Sequence, residues 1–136
     1  MLTVADIMTP NPVTVSTHAP LQDVIGLMKE HACRQLPVMD GTRLAGIVTD
    51  RDVRLAMNSP LVLHERSTDD MLLHSVKAED CMTPDPMTIA PGAPASEAAD
   101  VMRKYKFGAL PVVKDNLLVG IVAVSDIMTS FIKLLG

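Results

Sequence analysis

The chain has 136 residues, a net charge of −4 and a pI near 5.4, a balance that argues against nucleic acid as its main partner. Hydrophobic residues make up 48% and mean hydropathy is +0.26, enough for a sizeable core; with aromatics at 2%, that core is aliphatic, its irregular gaps filled by ten methionines. No apolar run approaches the roughly 18 residues that span a bilayer, no Cys-x-x-Cys accompanies Cys33 or Cys81, and His18, His31, His64 and His74 share no metal-ligand spacing.

Val4 to Pro12 is a lead-in. Its Met8-Thr9-Pro10-Asn11-Pro12 cannot be helical throughout, because proline disfavours the α conformation in the residue before it. Val13 to Ser16 predicts a short strand. Pro20 opens a helix at a position where its missing N–H does no harm. Leu21, Val24, Ile25 and Met28 give that helix one apolar face, and it ends around His31 to Cys33. Gln35 to Met39 is the next strand, where Pro37 implies either an edge strand or a missing ladder bond. Asp40-Gly41 signals a hairpin turn and Leu44 to Val48 the return strand.

The return strand carries Gly46, where a strand bulges or lets another group approach its backbone. It runs straight into Thr49-Asp50-Arg51-Asp52, which has the form of a capping box. A strand turning this abruptly into a helix presents unpaired N–H groups and a dipole that attract anions. An aspartate beside them suits a diol, as the acidic residue of dinucleotide folds suits a ribose. Asp52 therefore has two readings, cap and ribose ligand.

Residues 58–77 join the two halves as a polar connector. Asn58-Ser59-Pro60 stops the preceding helix, and Ser67-Thr68-Asp69-Asp70 can cap a short helix through His74. The pattern then starts again. At an offset of 74 (Gly46 to Gly120), Met8-Thr9-Pro10 falls on Met82-Thr83-Pro84, Leu36-Pro37-Val38 on Leu110-Pro111-Val112, and Leu44 to Asp52 on Leu118 to Asp126. No gap is needed from Asp6/Asp80 to Asp52/Asp126, so the chain is an internal duplication, and a pseudo-twofold pair is the natural way for two such units to bury each other's apolar faces. The second copy's first helix carries Ala95, Ala98, Ala99 and Met102, small residues that allow close helix approach. Ala123 replaces Thr49, so the capping box is broken there while Asp126 remains, which favours a reason for the aspartate beyond capping. The last helix, from about Ser125, carries Ile127, Met128, Phe131, Ile132 and Leu135, a stripe wide enough to predict a homodimer contact.

Met-Thr-Pro before a short strand, Leu-Pro-Val in the middle and Gly-Ile-Val-x-x-x-Asp at the end, twice in one order, resemble paired CBS domains, named after cystathionine beta-synthase. The resemblance covers Val4 to about Met57 and Ala78 to about Leu135. It implies an α/β (α+β) fold of two β-α-β-β-α units packed through their sheets: residues 1–57, a linker 58–77, and residues 78–136. It also implies clefts that bind adenosine-containing ligands. One would use Asp52 with Ile47, Thr49 and Arg51, facing Thr83, Thr88, Phe107 and Ala109. The other would use Asp126 with Ile121 and Ser125, facing Thr9, Thr14, Cys33 and Gln35, with Arg34 able to serve either. The carboxylates would hold ribose hydroxyls, and Thr49, Arg51 and Ser125 would reach phosphates. Ala123 departs from the family's usual Thr or Ser. For each Thr and Ser, a turn or cap hydrogen bond is an equally good account.

The leading functional reading is a stand-alone regulatory module. It needs no cofactor, takes AMP, ADP or ATP as regulatory ligand, and modulates a partner such as an enzyme or transporter. The competing reading is a structural dimerisation module with empty clefts. An enzyme is disfavoured, because Asp50-Arg51-Asp52 pairs carboxylates without a nucleophile or a tied histidine. Two free thiols and no signal peptide predict a cytoplasmic protein, with no metal site and no membrane partner.

Overall fold

The computed structural model describes residues 1–57 and 66–136. In chain order the elements are α1 (Val4–Ile7), β1 (Thr9–Pro10), β2 (Val15–Ser16), α2 (Leu21–Glu30), β3 (Gln35–Asp40), β4 (Arg43–Thr49) and α3 (Asp50–Met57). There follow α4 (Arg66–Ser75), α5 (Ala78–Cys81), β5 (Thr83–Pro84), α6 (Ala95–Tyr105), β6 (Ala109–Lys114), β7 (Leu117–Ala123) and α7 (Val124–Leu135). The helix stop expected at Asn58-Ser59-Pro60 lies outside the described residues.

Two compact units form, one from Val13–Asp85 and one from Met1–Pro12 with Pro86–Gly136. They do not follow the repeat boundaries, because each lead-in joins the sheet of the other copy. In the first unit the strand order is β2-β3-β4-β5, with β5 antiparallel to β4 through Gly46–Pro84 and Ile47–Thr83. In the second it is β1-β7-β6, with Thr9 opposite Ile121 and Pro10 opposite Gly120. Backbone bonds anchor the lead-ins: Val4 N–H to Ala93 O at 2.8 Å in one unit, Ala78 N–H to Ala19 O at 2.8 Å in the other.

Helix α2 begins after Pro20, which occupies the N-cap rather than the first helical turn. Its predicted face is real: Leu21, Val24 and Met28 are buried and pack with Val15, Leu36, Val38, Val48 and Val53. The second unit's smaller core gathers Val4, Ile89, Ala98, Met102, Leu110, Val112 and Val122.

Strand β3 is an interior strand, so of the two expectations for Pro37 the edge position does not hold. The second copy shows how an interior proline is accommodated. Ile89 N–H donates to Pro111 O (3.1 Å) and Val113 N–H to Ile89 O (3.0 Å), so Pro111 turns its nitrogen toward the Ile89 side and away from the β6–β7 ladder. Thr17 N–H to Met39 O (3.1 Å) sets the same parity for Pro37. Each proline lies where the neighbouring strand has not yet begun, and the hairpin loses no bond. The hairpins differ at their tips. Gly41 alone has positive φ (62°) in the first; Asp115 (52°) and Asn116 (64°) both have it in the second, the type I′ pattern.

Candidate functional site

The two strand–helix junctions are where the chain concentrates its candidate ligands. At the first, Thr49 N–H donates to Asp52 Oδ2 (2.9 Å) and Asp52 N–H donates to Thr49 Oγ1 (3.1 Å), the full reciprocal capping box. At the second, Ala123 N–H donates to Asp126 Oδ2 (2.8 Å). The Ala123 replacement thus removes only the hydroxyl arm. The carboxylate arm is common to both copies, and capping alone accounts for an aspartate at both positions. The lead-ins repeat the device: Thr3 N–H donates to Asp6 Oδ2 (2.8 Å) and Lys77 N–H to Asp80 Oδ2 (2.9 Å). These bonds from Thr3, the backbone N–H first and the hydroxyl second, hold the Asp6 carboxyl below the usual aspartate range.

The anion-attracting donors are fewer than the bare junction suggests. Of the first three α3 N–H groups, that of Asp50 donates to Arg34 O (2.9 Å) and that of Asp52 to Thr49. At α7, Val124 N–H donates to Gly108 O (3.0 Å). What remains for a ligand at the first junction is the Arg51 backbone N–H, the second carboxylate oxygen of Asp52, the hydroxyl hydrogen of Thr49 and the exposed guanidinium of Arg51.

The expected site residues fall into two groups by unit. Val13–Asp85 holds Thr14, Cys33, Arg34, Gln35, Ile47, Thr49, Arg51, Asp52 and Thr83. Within it Ile47 is buried opposite Thr83, and Gln35 stands directly across the ladder from Thr49. The other unit holds Thr9, Thr88, Phe107, Ala109, Ile121, Ser125 and Asp126. There Thr9 faces Ile121 and Ala109 faces Ala123, while Thr88, Phe107 and Ser125 are exposed. Each unit so carries one junction together with residues expected to face the other junction.

The strand glycines have a specific partner. A Cβ on Gly46 would stand 2.5 Å from Met82 Sδ and 2.7 Å from Thr83 O; one on Gly120 would stand 2.5 Å from Met8 Sδ and 3.0 Å from Thr9 O. The glycines admit the lead-in methionine and the carbonyl of the candidate threonine. The recurrence of Met8 and Met82 at the repeat offset was the available signal for this pairing. Cys81 is a neighbour of the Asp52 junction that spacing did not reveal. Burial, then the charges of Asp52 and Asp80, push its thiol up to about 11. Burial also raises Cys33. Among the described residues no group of three or more His, Cys, Asp or Glu could hold a metal ion, and no helix is long and apolar enough to cross a membrane.

A family model described as "CBS domain" matches residues 4–59 and again 78–133. A CBS domain-containing protein of Dictyostelium discoideum is 35% identical over 136 residues, covering 97% of this chain and 92% of its own. Among solved structures, CBSX2 of Arabidopsis thaliana in complex with AMP superposes with a TM-score of 0.81 at 27% identity, with 100% of both chains covered. The CBS domain pair of protein MJ0100, in complex with 5′-methylthioadenosine and S-adenosyl-L-methionine, gives 0.81 at 26% identity with 98% of each covered. An inosine-5′-monophosphate dehydrogenase of Korarchaeum cryptofilum is 36% identical over 116 residues, but the match spans only 21% of that enzyme.

Proposed function

The chain belongs to the CBS-domain family, as two such domains in tandem, and we propose that it is a regulatory module that senses AMP, ADP or ATP and passes its occupancy to a partner enzyme or transporter. It is not itself an enzyme, since its likeness to enzymes is confined to about a fifth of their length. The observation that carries the proposal is the duplicated strand–helix junction with its aspartate, in a fold whose solved neighbours hold AMP and other adenosine compounds. On this reading Asp52 and Asp126 offer their second carboxylate oxygen to ribose hydroxyls. Ile47 and Ile121, with Phe107 and Ala109, supply apolar contact for the base. Thr9, Thr14, Thr83 and Thr88 offer hydroxyls, with Cys33, Arg34 and Gln35 as further contacts.

The junctions are unequal for a phosphorylated ligand. Asp52 is accompanied by Thr49 and Arg51, and an arginine fork suits phosphate. Asp126 has only Ser125, with Ala123 and Val124 unable to donate from their side chains. A hydrogen bond to a charged group contributes roughly 1.5–3 kcal/mol, so the Asp52 junction binds AMP about tenfold or more tightly. Regulation further requires that the ligand distinguish two states of the protein.

A homodimer through α7 fits the same reading. Met128, Phe131, Ile132 and Leu135 are all more than half exposed, and no α7 residue is buried. Thermal unfolding with AMP, ADP and ATP tests the ligand: one that binds the native state alone adds about 2.7 kcal/mol at a hundredfold excess over its dissociation constant. A flat response to all three refutes sensing and leaves the dimerisation module. Calorimetry on Asp52→Ala and Asp126→Ala then separates the junctions, and equal AMP affinity in the two variants refutes their inequality.

A further inference from the structure

The chain holds one tyrosine, two phenylalanines and no tryptophan, and two of those three rings lie against each other. Tyr105 closes α6, and Phe107 follows two residues later, past Lys106. Their ring centroids stand 5.7 Å apart with an interplanar angle of 18°, an offset stack. The Lys104 ammonium lies over the Tyr105 ring, 5.5 Å from its centroid. Both rings remain exposed, Tyr105 at 48% and Phe107 at 37%.

The duplication supplies an internal control. Lys106 caps α6 in left-handed backbone (φ 59°), and Phe107 N–H donates to Met102 O at 3.1 Å. The first copy turns the same corner, with Ala32 at φ 50° and Cys33 N–H donating to Met28 O at 3.0 Å. At the repeat offset Lys104, Tyr105 and Phe107 become Glu30, His31 and Cys33, so that corner is built with neither aromatic ring of the stack. The stack is therefore not what closes the helix. The cap fixes the Phe107 backbone but leaves its side-chain torsions open. An exposed ring is held only by what lies beside it, and Tyr105 is the ring that lies along Phe107.

We infer that Tyr105 is a positioning residue for the base: it holds the Phe107 ring in the orientation that meets a purine face. The inference rests on the nucleotide reading, which gives Phe107 to the base, and adds what keeps that contact ordered. A ring already held has less rotamer freedom to lose when a base settles on it. Tyr105 covers one face of Phe107, so a flat base on the other face extends the stack. Tyr105 itself touches no ligand. Cys33, the counterpart of Phe107, offers no ring to position, so a base contact ordered in this way belongs to one copy only.

Titration calorimetry on the full chain, with whichever of AMP, ADP and ATP binds most tightly, tests this as a double-mutant cycle. Tyr105→Leu should weaken the nucleotide about three- to tenfold. Tyr105→Phe keeps a stacking ring and should retain the parent affinity. In a Phe107→Leu background, Tyr105→Leu should cost nothing more, because no ring is left to position. If Phe107→Leu abolishes binding, the comparison of Leu with Phe at position 105 decides alone. A parent that binds none of the three nucleotides overturns the nucleotide reading and this role with it. A parent that binds, with Tyr105→Leu binding equally well, overturns the role alone. So does an equal loss from Tyr105→Leu in both backgrounds, a Tyr105→Phe protein as weak as Tyr105→Leu, or unchanged affinity in Phe107→Leu.

Discussion

Replacing Gly46 with alanine should detach β5 from β4. The new Cβ would meet Met82 Sδ at 2.5 Å, Met82 Cγ at 2.9 Å and Thr83 O at 2.7 Å, all well inside van der Waals contact. The methionine can swing away, but the Thr83 carbonyl is backbone and moves only if the strand moves. Strand β5 is two residues long and is held by the Gly46–Pro84 and Ile47–Thr83 pairs and by Asp85 N–H to Ala45 O at 3.1 Å. Overpacking of this kind costs about 1–3 kcal/mol, and one ladder bond adds about 1 kcal/mol. For a chain of this size, each kcal/mol lowers the melting temperature by roughly 3–5 °C, so the expected fall is about 6–20 °C. Gly120→Ala is milder, because Thr9 O stands at 3.0 Å rather than 2.7 Å. Adding Met82→Ala to Gly46→Ala should recover only part of the loss, since the carbonyl clash persists; adding Met8→Ala to Gly120→Ala should recover more of it. Circular dichroism melts and hydrogen exchange at the Asp85 amide measure both. A Gly46→Ala protein that melts within 2 °C of the parent, with Asp85 still protected, would refute the close-approach argument.

Cys81 should alkylate slowly at pH 8, because its thiol titrates near 11. Its folded pKa lies above the unfolded 9.0, so its contribution to stability is complete below pH 9 and is lost as pH rises toward 11; the urea midpoint should fall across that interval and fall less in Cys81→Ala. Ala32 holds φ at +50°. Left-handed backbone costs a non-glycine residue about 1–2 kcal/mol and glycine gives back about 0.5–1 kcal/mol in chain entropy, so Ala32→Gly should raise stability by about 0.5–1 kcal/mol in a denaturant titration; a loss would contradict the strain. Phe131→Glu with Ile132→Lys should convert a sedimenting dimer to a monomer; a parent already monomeric at micromolar concentration disproves the α7 contact. Asp52→Asn retains an acceptor for Thr49 N–H while removing the charge, so AMP affinity should drop with little change in melting temperature, whereas Asp52→Ala should also lose about 1 kcal/mol of cap.

Much of the fold is legible because the chain states it twice. The apolar faces of α2 and α6, the two hairpins and the strand–helix junctions all recur at one offset. So do details no pattern predicts, such as left-handed backbone at Asn11 and Asp85 and at Ala32 and Lys106, and register shifts at Val38/Met39 and Val112/Val113. The destination of the lead-ins was less legible from local sequence. Thr9-Pro10 and Thr83-Pro84 are too short to carry a periodicity, and their partners lie more than thirty positions away along the chain. Gly46 and Gly120 announced a close approach but not what approaches.

The aspartates show why a motif and its chemistry must be weighed separately. Four of them, Asp6, Asp52, Asp80 and Asp126, accept a backbone N–H from three residues earlier. The first and third of these open short helices in the lead-ins, where no ribose was assigned, so the bond is a local solution to unpaired helix donors. It uses one oxygen of each carboxylate and fixes the direction of the other. A carboxylate free to rotate would lose entropy on gripping a diol; one already held by its own backbone has less to lose. Capping and ligand binding are therefore not rivals for Asp52. The cap orients the group at both junctions; the Thr49 hydroxyl additionally accepts the Asp52 backbone N–H, an arm that Ala123 lacks, without touching the carboxylate. On the proposed reading, it is then Arg51, with its planar fork for phosphate, that favours Asp52 over Asp126 as the tighter nucleotide contact.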